Sequence, residues 1–130
     1  LAYIDLDNFK GINDRHGHQV GDDVLRAVGR QLQLSVRATD YAARLGGDEF
    51  AILFVRAEPT PARERARQLA RGLNKIAISS PAGKITVRAS LGLAAYDGTT
   101  TADELIDRAD RAMYADKNKG SRAARLIING

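Results

Sequence analysis

The sequence contains no cysteine. That excludes a disulfide framework and any cysteine-bearing metal centre, and it fits a reducing compartment. Its two histidines, His16 and His18, cannot make a zinc site by themselves. Three phenylalanines and four tyrosines are poor material for stacking the bases of single strands. No apolar run is long enough to span a bilayer, and no signal peptide is visible. There is no internal repeat, low-complexity tract or linker. Residues 1–130 have room for one domain with one core. Leu1 is not a start methionine and residues 1–4 already read as a strand, so the expectation is a domain truncated at its N-terminus.

The net charge is +4, which suits a polyanionic partner: nucleic acid, a membrane surface or a nucleotide. The positive residues are spread out. Their one dense stretch, residues 63–71, reads as a solvated helix face. No basic groove is evident, so nucleic acid is not an expected partner.

Residues 1–4 are apolar and run into Asp5, as a buried strand would. Residues 8–17 read as a helical turn plus loop. From Gly21, the spacing of Val24, Val28 and Leu32 predicts an amphipathic helix of about four turns. Residues 41–45 and 50–55 flank Gly46-Gly47-Asp48-Glu49, the pattern of a hairpin with a tight turn. Pro59 and Pro61 open a helix with Ala62, Ala66, Leu69, Leu73 and Ile76 on one stripe. Residues 81–83 form a turn, and 85–93 a long strand. Thr101 and Glu104 form a capping box before a helix carrying Leu105, Ala109, Ala112 and Met113. Gly120 ends that helix, and 125–128 close as a last strand. The order β-α-β-β-α-β-α-β predicts an α+β fold of ferredoxin-like, nucleotide-cyclase type. Its helices are expected on one side of a mostly antiparallel sheet.

Two acidic clusters stand out: Asp5-Leu6-Asp7 at a strand end, and Asp48-Glu49 in the hairpin turn. Should the first strand neighbour the hairpin, the carboxylates meet, and they then repel unless protonated or bridged by a cation. Hard oxygen ligands suit Mg²⁺, which takes one or two carboxylates plus substrate phosphates. Two such ions can serve phosphoryl or nucleotidyl transfer. The competing reading is a pair of exposed strand ends. An EF-hand fails because Phe9 and Lys10 occupy the positions that need an oxygen ligand and glycine. A Walker A loop fails too: Gly83-Lys84 is followed by Ile85, with no glycine five residues earlier.

Gly46-Gly47-Asp48-Glu49-Phe50 spells the signature of the GGDEF family. In order along the chain stand Asp5-x-Asp7-x-Phe9-Lys10-x-x-Asn13-Asp14, Gly17-His18-x-x-Gly21-Asp22, Ser90-Leu91-Gly92, and Ala109-Asp110-x-Ala112-Met113-Tyr114-x-x-Lys117-x-x-Gly120. These blocks span nearly the whole sequence, which resembles the catalytic domain of a diguanylate cyclase. The resemblance implies condensation of two GTP into cyclic di-GMP and pyrophosphate at a homodimer interface.

It further implies Asp5, the Leu6 carbonyl and Asp48 as ligands of Mg²⁺, with Mn²⁺ an alternative. Glu49 is the second acidic catalytic position, as an added ligand or a proton acceptor. Asn13, His18 and Asp22 would hold guanine and ribose. The backbone at Asn8, Phe9 and Lys10, with Lys117, would grip the phosphates. Asn and Asp together can tell guanine from adenine, and Gly46 and Gly47 let a nucleotide approach the backbone. Helix capping competes for Asn13 and Asp22, a loop hydrogen bond for His18, and an ordinary turn for the glycines. Arg37-x-x-Asp40 resembles the family's inhibitory product site, against a helix-terminal ion pair. The tail departs from the family pattern, reading Lys117-x-x-Gly120-Ser121-Arg122, and the family's upstream helical segment is absent from the sequence.

The expectation is thus a cytoplasmic domain fused to a sensory or other signalling domain, with membrane anchoring of the whole protein left open. A regulatory domain that binds GTP or cyclic di-GMP without turnover is the alternative. A polymerase-like palm shares only the carboxylate logic.

Overall fold

A computed structural model describes residues 1–117 and 125–129, with side chains described as far as Tyr114. Strand β1 (Ala2–Leu6) is buried along its whole length, because it is the middle strand of a sheet covered on both faces. The chain continues through α1 (Phe9–His16), α2 (His18–Ser35), β2 (Tyr41–Gly46), β3 (Glu49–Leu53) and α3 (Pro59–Asn74). It then forms β4 (Ala77–Ser80), β5 (Gly83–Thr86), β6 (Ala89–Ala94), α4 (Ala102–Lys117) and β7 (Arg125–Asn129). The five-stranded sheet has the order β2-β3-β1-β6-β7, and β4-β5 is a separate two-stranded hairpin. All pairings are antiparallel except β6 with β7. The fold is α+β, as the sequence predicts. No helix among the described residues is long and apolar enough to cross a membrane.

Alternation along the strands sorts side chains to two cores. Ala2, Ile4 and Leu6 of β1 pack with Phe50 and Ile52 of β3 and with Leu91 and Leu93 of β6. Val24, Val28 and Leu32 of α2, and Leu69 and Leu73 of α3, cover them. The other face carries a smaller cluster of Tyr3, Ala94, Leu105, Ala109 and Met113, so α4 lies opposite the remaining helices. Helices on one side only, the arrangement expected from the sequence, is therefore corrected. The α4 crossing is close: a Cβ on Gly92 would stand 2.0 Å from the Ala109 carbonyl oxygen and 2.5 Å from the Met113 nitrogen. Only glycine lets that backbone approach.

Several boundaries differ from the sequence expectation: α3 ends at Asn74, which leaves Ile76 beyond it, and residues 77–80 form β4, which that expectation lacks. Residues 9–16 are a full helix rather than a turn and loop, and α2 starts at His18 rather than Gly21. Gly17, at φ +92°, separates the two helices. The expected strand 85–93 is two strands. Ile85, Val87, Ala89, Leu91 and Leu93 are all buried, so the period of two runs unbroken through the junction. The partners change there: the Val87 amide donates to the Ile76 carbonyl, while the Arg88 carbonyl accepts from the Asp7 amide. Periodicity reports the buried face and says nothing about which strand lies alongside.

Candidate functional site

The two acidic segments meet at one end of the central strand. Asp5 stands opposite Glu49 of β3 and opposite Ser90 of β6. The Leu6 amide donates to the Asp48 carbonyl at 3.1 Å, fastening the hairpin turn to the end of β1. Asp5 is buried, while Asp48 and Glu49 are half-buried. Asp7 is held from β6, its amide donating to the Arg88 carbonyl at 2.8 Å and its Oδ1 accepting from the Ser90 hydroxyl at 2.8 Å. Ser90 was visible in the sequence as part of a motif, without a role. Its bond to Asp7 supplies one, fixing that carboxylate beyond the end of β1.

The turn has its own clamp, which sequence reasoning missed. The pairing of β2 with β3 is irregular between Arg44 and Gly46. The Arg44 guanidinium donates to the carbonyls of Gly46 at 3.3 Å and Gly47 at 2.8 Å. Neither glycine adopts a positive φ, and a Cβ on Gly47 would meet nothing within 4 Å. The hairpin's own geometry therefore does not demand glycine at 47. The space beside it is open.

Next to the acidic cluster, α1 presents its N-terminus. Asn8 precedes it in the left-handed region at φ 55° and its side chain makes no capping bond. Phe9, Lys10 and Gly11 open the helix, so their amides belong to the group that finds no carbonyl within it. The first turn contains no acidic residue, which keeps the end attractive to an anion. Asn13 lies within α1 against the first turn of α2: a Cβ on Gly21 would stand 1.8 Å from Asn13 Oδ1. Asp22 is exposed one residue further on, and His18 is exposed at the start of α2. Neither Asn13 nor Asp22 precedes a helix, and no side chain caps α1 or α2. The capping role considered for both residues is therefore overturned. Asp23 pairs with Arg26 instead. Lys117 is the last residue of α4; its side chain, together with Gly120, Ser121 and Arg122, lies outside the described residues.

Among the described residues, no three Asp, Glu or His side chains are grouped closely enough to hold an ion alone. The donors that do gather are the Asp5 and Glu49 carboxylates, with Asp48 and the Leu6 backbone alongside. Such a partial oxygen set fits Mg²⁺ that shares its coordination with substrate phosphates and water.

Tyr3 stands on the same face, two residues before Asp5. Burial pushes its phenol well above the usual range, and a hydrogen bond to Glu49 with the charges of Glu49, Asp110 and Asp5 adds to that. At the far end of α2, the Asp40 side chain is wholly buried. It accepts from the Arg37 amide, the Arg37 and Arg65 guanidiniums and the Val55 amide. Burial alone would raise this carboxyl. The bonds from Arg65, Arg37 and Val55 outweigh that and hold it well below the usual carboxylate range. The ion pair weighed for Arg37 and Asp40 is present, at 3.3 Å, with Arg65 as a further partner that spacing did not reveal.

A concavity of about 900 Å³ lies elsewhere. It is lined by Leu1, Leu53, Phe54, Pro59, Tyr96 and Leu105 at the opposite end of the sheet, and contains none of the predicted site residues.

The model of the family described as "Diguanylate cyclase, GGDEF domain" matches residues 1–123. The bifunctional diguanylate cyclase/cyclic di-GMP phosphodiesterase MucR of Pseudomonas aeruginosa is 40% identical over 121 residues, covering 92% of this chain and 18% of MucR. The crystal structure of the GGDEF domain of YfiN (TpbB) from Pseudomonas aeruginosa superposes with a TM-score of 0.84 at 34% identity. That match covers 99% of this chain and 81% of the other. The GGDEF domain of DgcB from Caulobacter crescentus, solved in complex with cyclic di-GMP, superposes with a TM-score of 0.82 at 30% identity, covering 96% and 75%. The chain spans between 18% and 35% of the length of curated relatives it matches.

Proposed function

The chain belongs to the GGDEF family of diguanylate cyclase domains, and from that premise we propose that it condenses two molecules of GTP into cyclic di-GMP and pyrophosphate. The observation that carries this reading is the bond from the Leu6 amide to the Asp48 carbonyl, with Asp5 opposite Glu49. It gathers the family's acidic positions beside a helix N-terminus able to receive phosphate.

In this reading the Asp5 and Asp48 carboxylates and the Leu6 carbonyl hold Mg²⁺, or Mn²⁺ in its place. When bound, the ion supplies charge neutralisation at the α-phosphate and a lowered pKa for the attacking 3′-hydroxyl. Glu49 completes the ligand set or accepts the hydroxyl proton. The amides at Asn8, Phe9 and Lys10, with Lys117, hold the triphosphate. Asn13 and Asp22 read the guanine edge, with His18 beside the sugar. Gly46 and Gly47 leave the turn open to the nucleotide. One domain offers half a reaction centre, so two copies face each other, each presenting its GTP to the other. Arg37, its guanidinium held from beneath by the buried Asp40, offers a separate site for product. The domain acts in the cytoplasm, where GTP is available, as part of a longer signalling protein.

The test is incubation of the full-length protein with GTP and Mg²⁺, followed by nucleotide chromatography. Cyclic di-GMP and pyrophosphate are the expected products. GTP binding without turnover would overturn the enzymatic reading in favour of a regulatory domain. A second expectation concerns base recognition. Asp22 is exposed and caps nothing, so Asp22→Ala should leave the melting temperature within about 2 °C of wild type. Loss of a partner for the guanine edge should weaken GTP about 10- to 100-fold. Calorimetric titration with GTP checks this, and an unchanged affinity removes Asp22 from the site.

A further inference from the structure

Tyr3 occupies a slot that the sheet builds for a ring. It is in the central strand, with Ala51 opposite on β3 and Gly92 opposite on β6. Two small flanking residues leave width on the sheet surface, and α4 roofs it where its backbone crosses Gly92. Leu105, Ala109 and Met113 of α4, with Leu1, complete an apolar wall, and Tyr3 is only 7% exposed. Phenylalanine would satisfy that slot equally. A buried phenol adds a polar group that must find a partner.

The sheet register offers Glu49 as that partner. Tyr3 pairs with Ala51 and Asp5 pairs with Glu49, so Tyr3 and Glu49 are diagonal neighbours on one face of an antiparallel pair. An aromatic side chain reaches across that diagonal. The other charged groups facing the phenol are Asp5 on its own strand and Asp110 on α4. Glu49 itself is half-buried at the first position after the turn, with a long side chain whose rotamers cost free energy to fix.

We propose that Tyr3 is a positioning residue, whose phenol holds the Glu49 carboxylate at the acidic cluster in the orientation the reaction uses. This rests on the cyclase reading given above. Tyr3 touches no substrate in it; the hydroxyl acts by removing Glu49's alternative rotamers before GTP arrives. A purely packing role predicts that the hydroxyl is dispensable.

Tyr3→Phe, Glu49→Gln and the double variant of the full-length protein test it. Tyr3→Phe should lower kcat about tenfold, with KM for GTP within about twofold and an almost unchanged melting temperature. In the Glu49→Gln background it should cause no further loss, because the carboxylate it orients is gone. A second readout needs no turnover. In protein labelled with ¹³C at tyrosine Cζ, the Tyr3 resonance, assigned by its absence in Tyr3→Phe, should move on Glu49→Gln. Those of Tyr41, Tyr96 and Tyr114 should stay. With wild type active, a Tyr3→Phe kcat within twofold of it, or an equal loss in both backgrounds, overturns the proposal. An unmoved Tyr3 resonance overturns it whether or not the wild type turns over. Absence of cyclic di-GMP from wild type, with the resonance moving, overturns the cyclase reading and leaves the Tyr3–Glu49 tether as a structural contact only.

Discussion

Asp48→Asn should lower cyclic di-GMP formation by on the order of a hundredfold or more, with a melting temperature within a few degrees of wild type. Asp48 serves the fold through its backbone carbonyl, which takes the Leu6 amide. Asparagine keeps that carbonyl and the side-chain volume. What it loses is the negative charge that the proposed cation site requires from the turn. Removing one charge-stabilising group from a preorganised centre costs about 10²–10³ in turnover, and a hard divalent ion has few carboxylates here to spare. Nucleotide chromatography at saturating GTP and Mg²⁺ measures the rate, and a thermal melt controls for folding. Mixing the variant with wild type adds a stricter requirement. A two-copy reaction centre makes the mixed pair inactive, so the rate should fall faster than the wild-type fraction. Wild-type turnover by Asp48→Asn would remove the turn from the catalytic assignment. A large loss of melting temperature would assign Asp48 to the fold.

Much of this centre was legible because its parts are local. The Gly46-Gly47 turn, the strand end at Asp5 and the apolar stripes of α2 and α3 each declare themselves within a few residues. The capping box at Thr101 and Glu104 did so too, and both of its bonds form, the Glu104 amide to Thr101 Oγ1 and the Thr101 amide to Glu104 Oε2. What stayed hidden depends on partners far away in sequence. Ser90 meets Asp7 across 83 residues, and Arg65 meets Asp40 across 25. No periodicity carries such information. The placement of α4 on the opposite face was hidden for the same reason, although Gly92 was its trace. A glycine inside a strand marks a close backbone approach, and that approach is α4. The split of the expected strand 85–93 shows the converse, an unbroken pattern across a change of partner. Asn13 and Asp22 show a third kind of error. A short polar stretch reads as a turn and loop, and an apolar stripe marks a helix only from its first buried residue; with α1 at Phe9–His16 and α2 from His18, both residues fall inside helices.

Asp40→Ala should destabilise the domain by about 3 kcal/mol near neutral pH, whatever it does to ligand binding. The Asp40 side chain is fully buried, and it ties the end of α2 to Val55 beyond β3 and to Arg65 on α3. Deleting it leaves the Arg65 guanidinium, 19% exposed, without its counter-charge, and breaking a buried pair from one side costs about 3–5 kcal/mol. The lower end applies because Arg65 also stacks on the Phe54 ring, 4.6 Å from its centroid. For a domain of this size, about 3 kcal/mol corresponds to a fall of roughly 10 °C in Tm.

The pH dependence has a definite sign. The Asp40 carboxyl is held below its usual range in the folded chain, so its stabilisation is present above the unfolded value near 4. It is lost as pH falls through the depressed folded value. The gap between wild type and Asp40→Ala in chemical denaturation should therefore be full at pH 7 and narrow below about pH 4. Arg37 is different, since its side chain is 52% exposed and its ion pair is worth only about 0–1 kcal/mol. Arg37→Ala is thus the variant that interrogates product binding. Initial turnover and Tm should stay near wild type, while progress curves should lose the slowing that the proposed product site predicts as cyclic di-GMP accumulates. Identical inhibition in wild type and Arg37→Ala would leave the pair a structural one, with Asp40 the keystone between α2 and α3 and Arg37 its outer partner.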